Sequence, residues 1–178
     1  MQDIASHIMD IVQNSIRANA GKVEILVGEN PQLDSYVLSI KDNGDGMDSE
    51  TLARITDPFY TSRKVRKVGL GIPLLKHNAE ATGGNIEISS EKGKGTSVTA
   101  NFTPSHIDMP PEGDVAGTIV LMLIANPNNE LIYRHINNNG EFIFNATETK
   151  GVLGDIPLTN PEIFNALKEQ IDENTKAI

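Results

Sequence analysis

The stretch Asp42-Asn43-Gly44-Asp45-Gly46-Met47 follows residues 36–41, which alternate between apolar and polar side chains as a half-buried strand does. An aspartate at the end of a strand can hydrogen-bond the flat edge of a ligand, and the two glycines beside it let that ligand approach the backbone. Acidic turns with glycine also occur where the chain only reverses direction. Both interpretations are open on this stretch alone.

The composition describes an ordinary globular chain. Its 178 residues, 38% of them apolar, suffice for one domain or for one domain with a small appendage. The absence of cysteine excludes disulfides, thiolate catalysis and Cys-ligated zinc, and it fits a reducing cytoplasm. The N-terminal residues do not have the pattern of a signal peptide, and the longest apolar run, residues 119–125, is too short for a membrane span. We therefore expect a cytoplasmic protein with no membrane partner.

The charge is negative and unevenly distributed. The net charge of the chain is −9, of which −2 falls on residues 1–103 and −7 on residues 104–178. Such a chain is not expected to bind nucleic acid.

Residues 4–18 are predicted to form an amphipathic helix with an isoleucine-rich apolar stripe. His7, Asp10, Asn14 and Arg17 recur at spacings of three and four, which places them on one face of that helix. This face is either a solvated flank with an Asp–Asn hydrogen bond, or a carboxylate, an amide oxygen and a cation directed at a magnesium-bound phosphate group.

A basic loop lies in the middle of the chain. Residues 63–67 contain four cations, and Gly69-Leu70-Gly71 follows them directly before a helix that should begin at about Ile72 or Pro73. The free N–H groups and the dipole of a helix N-terminus favour an anion. The segment therefore predicts either a phosphate-binding loop or a solvated basic loop, but it does not match the P-loop pattern.

The C-terminal third differs from the rest. Residues 104–114 contain three prolines and are predicted to be a linker. Residues 117–125, 130–136 and 141–144 are predicted to be three strands, and a helix should follow from residue 160 to about residue 172. This β-β-β-α extension suits a docking element, including one for homodimerisation, or a plain packing role.

Four features occur in one order: the helix with Asp10, Asn14 and Arg17, the Asp42 turn, Gly69-Leu70-Gly71, and Gly93-Lys94-Gly95-Thr96. Together they resemble the ATP-binding domain of the GHKL superfamily, which includes DNA gyrase, the ninety-kilodalton heat-shock chaperone, histidine kinases and mismatch-repair ATPases. The segment that begins Thr61-Ser62-Arg63-Lys64 resembles the histidine-kinase branch most.

The resemblance implies a two-layer α/β sandwich over residues 1–103, in which helices cover one face of a mixed sheet and ATP lies beneath a mobile lid. Residues 104–114 would be the linker and residues 115–178 the C-terminal module. The sheet would lack the strand that normally precedes the first helix. A partner, or residues after 115, would then complete the sheet edge.

The resemblance also assigns roles to residues. Asn14 would bind Mg²⁺ through its amide oxygen, Arg17 would face the phosphates, and Asp42 would accept a hydrogen bond from the adenine amino group. The other residues implied to bind the nucleotide, as the floor under the base, its water network, the lid or the phosphate-binding turn, are Gly44, Gly46, Met47, Thr61, Lys64, Lys67, Gly69, Leu70, Gly71, Ile72, Gly95 and Thr96.

Two departures bear on the reaction. Asp10 stands where members that hydrolyse ATP usually carry a glutamate, and it could still act as general base or positioning group. The chain has no room for the helical hairpin that carries the phospho-acceptor histidine in histidine kinases, and His7 is a poor substitute. We therefore expect a stand-alone kinase subunit that phosphorylates a partner protein, or alternatively an ATP-gated switch or weak ATPase that binds a regulatory partner.

Overall fold

The computed structural model describes residues 3–56, 71–154 and 156–178. Within them the helices are α1 (Ile4–Arg17), α2 (Ser49–Arg54), α3 (Gly71–Ala81), α4 (Val115–Ala125), α5 (Ala146–Leu153) and α6 (Pro161–Ala177). The strands are β1 (Lys22–Asn30), β2 (Ser35–Asp42), β3 (Asn85–Glu91), β4 (Gly95–Phe102), β5 (Glu130–Ile136) and β6 (Glu141–Asn145).

The strands form one mixed sheet in the order β3-β4-β2-β1-β5-β6. All neighbouring pairs are antiparallel except β1 and β5, which run parallel. Val23, Ile25 and Val27 are buried while the residues between them are partly exposed, so one face of the sheet is covered and the other meets solvent. The two-layer α/β sandwich predicted from the sequence is confirmed.

The N-terminus of the first helix is held by a capping side chain and by backbone hydrogen bonds to residues 111 and 112. The Asp3 carboxylate accepts a hydrogen bond from the Ser6 amide at 2.7 Å and caps the helix. The amides of Ile4 and Ala5 donate to the carbonyls of residues 111 and 112 at 3.0 Å each. The apolar stripe of α1 is buried, so its polar face is held in a defined orientation.

Residues 117–125 are a helix and not the predicted strand. Asp114 caps α4 by accepting from the Gly117 amide at 2.9 Å. Helix α4 is buried nearly all round and packs between α1 and α6. A short apolar run does not distinguish a buried strand from a buried helix. Here packing against α1 and α6 stabilises the helix, although the β-branched residues of the run favour a strand. The extension therefore reads α-β-β-α-α, and α5 was not predicted.

The strands after residue 115 complete the sheet edge. Residues 22–28 of β1 pair with residues 130–136 of β5, and β6 adds the outer strand beyond it. Of the two ways to cover that edge, the chain uses its own C-terminal residues. The division into an ATP-binding domain, a linker and a module stays a prediction. No helix in the described ranges is long and apolar enough to cross a membrane.

Candidate functional site

Asp42 is the last residue of β2 and is buried, with 9% of its surface exposed. Its Oδ1 accepts from the amides of Gly44 at 2.9 Å and Thr96 at 3.2 Å, and its Oδ2 accepts from the Ser15 hydroxyl at 2.6 Å. A carboxylate offers about four lone-pair positions. Three described donors therefore leave one position for the donor of a ligand.

The glycines around Asp42 are required by neighbouring backbone. A Cβ on Gly44 would lie 2.5 Å from the Ala18 carbonyl oxygen, and one on Gly46 would lie 2.0 Å from that of Glu91. Gly46 also has a φ of +64°, which side chains rarely adopt. These glycines let the turn pack against α1 and against the loop between β3 and β4.

The β3–β4 hairpin holds the turn from the other side. The Met47 amide donates to the Ser90 hydroxyl at 2.8 Å, and the same hydroxyl lies 2.9 Å from that of Thr96. A Cβ on Gly95, which has a φ of +106°, would lie 2.0 Å from the Asp42 carbonyl oxygen. Asp42 therefore sits on a rigid support that strands β2 and β4 share with α1.

The polar face of α1 forms a chain of side-chain hydrogen bonds. The Asn14 amide nitrogen donates to Asp10 Oδ2 at 3.2 Å, and Arg17 donates to Asn14 Oδ1 at 2.8 Å. The Asp–Asn hydrogen bond that the solvated-flank interpretation predicts is therefore present. The same arrangement places a carboxylate, an amide oxygen and a guanidinium side by side, as the phosphate interpretation requires.

The Asp10 carboxylate lies against the first residue of α3. A Cβ on Gly71 would come 1.7 Å from Asp10 Oδ2, so only glycine fits there without displacing the carboxylate. Because a helix N-terminus favours negative charge, this is a stabilising position for Asp10. It is also the position that the sequence predicts for phosphate groups.

A cavity of about 430 Å³ opens between α1, the Asp42 turn and α3. This volume is typical of a small-ligand site. Its lining includes a set of apolar side chains near Asp42 that could contact a flat ring: Ile11, Ile40, Met47, Ile55, Ile72 and Val98.

The described wall of this cavity carries more negative than positive charge. Its carboxylates are Asp10, Asp42, Asp45 and Asp48, and its cations are Arg17 and Lys92. Hydrogen bonding from the Thr51 amide at 2.8 Å lowers the pKa of Asp48, so that group is ionised at neutral pH.

The structure brings together most of the predicted residues that it describes. The predicted residues that line the cavity are Asp10, Asn14, Arg17, Asp42, Gly46, Met47, Gly71, Ile72 and Thr96. Gly44 and Gly95 do not line the cavity, but they allow the Asp42 turn to pack closely against Ala18 and against β4. Thr61, Lys64, Lys67, Gly69 and Leu70 lie outside the described residues.

Sequence reasoning missed Ser15 and Lys92. Ser15 is buried and falls four residues after Ile11 and three after Val12 on the buried stripe of α1. A hydroxyl on an apolar stripe needs a buried partner, and this signal could have identified it. Lys92 gave no such signal, because a lysine in a hairpin loop is usually solvated.

His7 is not placed as a phospho-acceptor. Its side chain is fully buried, and its Nε2 lies 2.9 Å from the amide nitrogen of Asn78. Burial lowers the pKa of His7 to about 4, so the ring is neutral near pH 7.

In this α/β sandwich a buried aspartate beside glycine turns therefore faces an Asp-Asn-Arg helix across one cavity, which is the arrangement that the sequence motifs predict. The family model for the histidine kinase-, DNA gyrase B- and HSP90-like ATPases matches residues 2–106. The chain belongs to this ATPase family, as the motifs predicted.

Relatives of this chain include bacterial sensor kinases. The chain is 34% identical over 100 residues to the sensor histidine kinase YxdK of Bacillus subtilis, which covers 53% of this chain and 31% of the relative. It is 38% identical over 92 residues to the sensor protein kinase FleS of Pseudomonas aeruginosa, covering 52% of this chain and 23% of FleS. The chain thus spans less than a third of the length of either kinase.

Solved structures show the same fold at low identity. The N-terminal domain of a DNA repair protein superposes with a TM-score of 0.59 at 18% identity, covering 80% of this chain and 52% of that one. The MutL ATPase domain of Aquifex aeolicus complexed with ADP gives a TM-score of 0.51 at 16% identity, covering 82% of this chain and 63% of that domain. These similarities extend past residue 106, so they include part of the C-terminal region.

Proposed function

We propose that this chain binds Mg²⁺-ATP in the cavity between α1, the Asp42 turn and α3, and uses it to phosphorylate a partner protein. The observation that carries this proposal is that one cavity contains both the buried Asp42 carboxylate, which has a spare acceptor position, and the side-chain oxygens of Asp10 and Asn14 on α1. Membership of the ATPase family supports it.

The adenine end would lie at Asp42. A carboxylate accepts from the adenine amino group but not from guanine, which presents an oxygen acceptor at the equivalent position. Because Ser15, Gly44 and Thr96 already hold Asp42 in place, it could bind the base without reorganisation. The apolar side chains of the wall would contact the faces of the ring.

The phosphate end would lie at Asn14. Amide and carboxylate oxygens are ligands that suit Mg²⁺, so the Asn14 and Asp10 pair fits this ion. The ion would supply charge neutralisation for the triphosphate. Arg17 donates to Asn14 Oδ1 here, and its guanidinium could turn from that oxygen to a phosphate oxygen.

Charge balance supports the need for a cation. ATP would bring further negative charge to a wall that already holds four carboxylates and two cations among its described residues. Magnesium and the cationic residues 63–67 would together offset this repulsion. We therefore expect nucleotide affinity to depend strongly on Mg²⁺.

A protein acceptor is proposed because the relatives are sensor kinases. Phosphoryl transfer needs little beyond positioning and charge neutralisation, and the site provides both. His7 would not be that acceptor, since its side chain is buried.

The second candidate is an ATP-gated switch or weak ATPase. Its specific support is the contact of the Asp10 carboxylate with Gly71, which places a potential base at the proposed phosphate end. Nucleotide binding would displace this carboxylate and could thereby reposition α3.

The test begins with calorimetric titration of Mg²⁺-ATP into the native chain and the Asn14→Ala variant. We expect affinity to fall roughly ten- to hundredfold in the variant. Equal affinity in both proteins contradicts the site.

Labelled ATP then distinguishes the two uses. Incubation with co-purified proteins should transfer label from the native chain to a partner. Absence of label on any protein, together with hydrolysis that Asp10→Asn abolishes, supports the ATPase instead.

A further inference from the structure

A second cluster of ionisable side chains lies at the other end of the sheet. Glu29, Glu112 and His135 each present one donor atom, and the three atoms lie within 4.8 Å of one another. In the register of β1 and β2, Glu29 pairs with Tyr36, whereas Val23 pairs with Asp42. Six residues of strand, roughly 20 Å, therefore separate this cluster from the nucleotide cavity.

We propose that Glu29, Glu112 and His135 form a binding site for a divalent transition-metal ion of the zinc class. One imidazole nitrogen and two carboxylate oxygens are a donor set that such ions accept. Two ligand atoms of one tetrahedral zinc ion stand about 3.4 Å apart, so a pair at the 4.8 Å limit would have to close by roughly 1.4 Å. His135 Nε2 and Glu29 Oε1, at 3.3 Å, already have the required separation.

The histidine is already oriented as a metal ligand. His135 is buried, its Nδ1 lies 3.0 Å from the Tyr133 hydroxyl, and its Nε2 lies 3.3 Å from Glu29 Oε1. A hydrogen bond at Nδ1 fixes the ring and leaves Nε2 to face the carboxylates. Metal-bound histidines usually have such a partner on their second nitrogen.

An independent observation points to a missing ligand at the same place. The Tyr36 hydroxyl is buried and has no hydrogen-bond partner among the residues that the structure describes. Burial raises the pKa of Tyr36, and the Glu112 carboxylate raises it further, so these groups lie within electrostatic reach of each other. A metal-bound water or carboxylate would accept the hydrogen bond that this hydroxyl lacks.

The charge of the cluster favours a cation. Burial and, to a smaller extent, the carboxylate of Glu29 raise the pKa of Glu112, so a negative charge on Glu112 is disfavoured unless a cation is near. The hydrogen bond from His135 lowers the pKa of Glu29. On α6, Asp172 raises the pKa of Glu112 and Lys176 lowers it. A divalent ion would neutralise both glutamates.

The ion would have an access route and a structural effect. Glu112 lies at the surface, so the site opens to solvent on that side. The carbonyl of Glu112 also accepts from Ala5 at 3.0 Å, in the first turn of α1. Bound metal would thus join β1, β5 and the start of the helix that carries Asn14.

The experiment is titration of ZnCl₂ into the nucleotide-free chain after removal of metal with a chelator. We expect one bound zinc per chain and a melting temperature that rises with zinc concentration. Glu112→Gln should weaken zinc affinity at least tenfold, and His135→Gln should do the same. Because His135 is buried and its variant could unfold, the surface residue Glu112 provides the decisive variant.

Two controls locate the ion. His106→Gln removes an exposed histidine that lies 3.6 Å from Asp108, and it should leave zinc affinity unchanged. Glu87→Gln removes an exposed glutamate of β3, at the opposite edge of the sheet, and it should also leave zinc affinity unchanged. Absence of zinc binding, equal affinity in native chain and Glu112→Gln, or loss of binding in Glu87→Gln would each overturn the proposal.

Discussion

The hydroxyl of Ser15 donates a hydrogen bond of 2.6 Å to Oδ2 of Asp42, across 27 positions of the sequence. Ser15 adjoins Asn14 on α1, and Asp42 ends β2. This one bond therefore links the helix proposed to hold the phosphates to the carboxylate proposed to bind adenine. It keeps the two ends of the cavity at a defined separation.

Replacing Ser15 with alanine should weaken nucleotide binding about three- to tenfold. The variant loses one hydrogen bond to a charged group, and Asp42 is then less well positioned. Calorimetric titration of Mg²⁺-ATP measures the effect. Ser15→Thr keeps the hydroxyl and should retain most of the affinity, and equal loss in both variants would point to packing as the cause.

Replacing Asp42 with asparagine should cost roughly 1.5–3 kcal/mol of ATP binding, about ten- to hundredfold in affinity. The amide group has lost one acceptor oxygen and brings a donor toward the adenine amino group. Asp34→Asn is a matched control, since the exposed Asp34 carboxylate accepts from the Ser105 amide at 2.9 Å, far from the cavity. Unchanged affinity in Asp42→Asn would contradict the assignment of the adenine end.

Replacing Gly46 with alanine should destabilise the fold by more than about 2 kcal/mol. The new Cβ would lie 2.0 Å from the Glu91 carbonyl oxygen, at a residue with a φ of +64°. Gly93→Ala shares the positive φ, at +80°, but meets nothing within 4 Å, so it should cost only about 1–2 kcal/mol. Urea unfolding measures both, and equal costs would show that backbone conformation alone explains the effect.

Stability should fall between pH 6.5 and pH 4 because of His7. Burial lowers the pKa of this group to about 4 from 6.5, so in that window the unfolded chain binds a proton that the folded chain does not. The stabilisation is complete above pH 6.5 and is lost as the pH falls, by up to roughly 3 kcal/mol. The raised pKa of Glu112 acts in the opposite sense at the acid end.

Comparison of variants isolates the contribution of His7. Urea unfolding at pH 7.5 and pH 5 should show a smaller loss of stability in His7→Gln than in the native chain. His77→Gln, at an exposed position of α3, should lose as much as the native chain. A native-like pH dependence in His7→Gln would contradict this account.

Local patterns predicted which residues would lie together in the candidate site. The three-to-four spacing placed Asp10, Asn14 and Arg17 together, because a helix brings such positions onto one face. The alternation of residues 36–41 placed Asp42 at the end of a strand. These predictions depend only on the geometry of one element at a time, which sequence periodicity reports directly.

Contacts between distant segments could not be predicted in this way. The bond from Ser15 to Asp42, the approach of Asp10 to Gly71 and the meeting of Glu29, Glu112 and His135 all join separate elements. The helix at residues 117–125 was also missed, since burial on all sides removes the periodicity that reveals a surface helix.

The amino-acid sequence by itself determined the ATPase family, the α/β class and the residue types available at each end of the cavity. The tertiary structure alone decided that the C-terminal strands extend the same sheet, that three donors hold Asp42, and that the buried Tyr36 hydroxyl has no hydrogen-bond partner among the described residues. The reason is physical: periodicity is a property of one element, whereas a site is made where packing brings several elements within a few ångströms of one another.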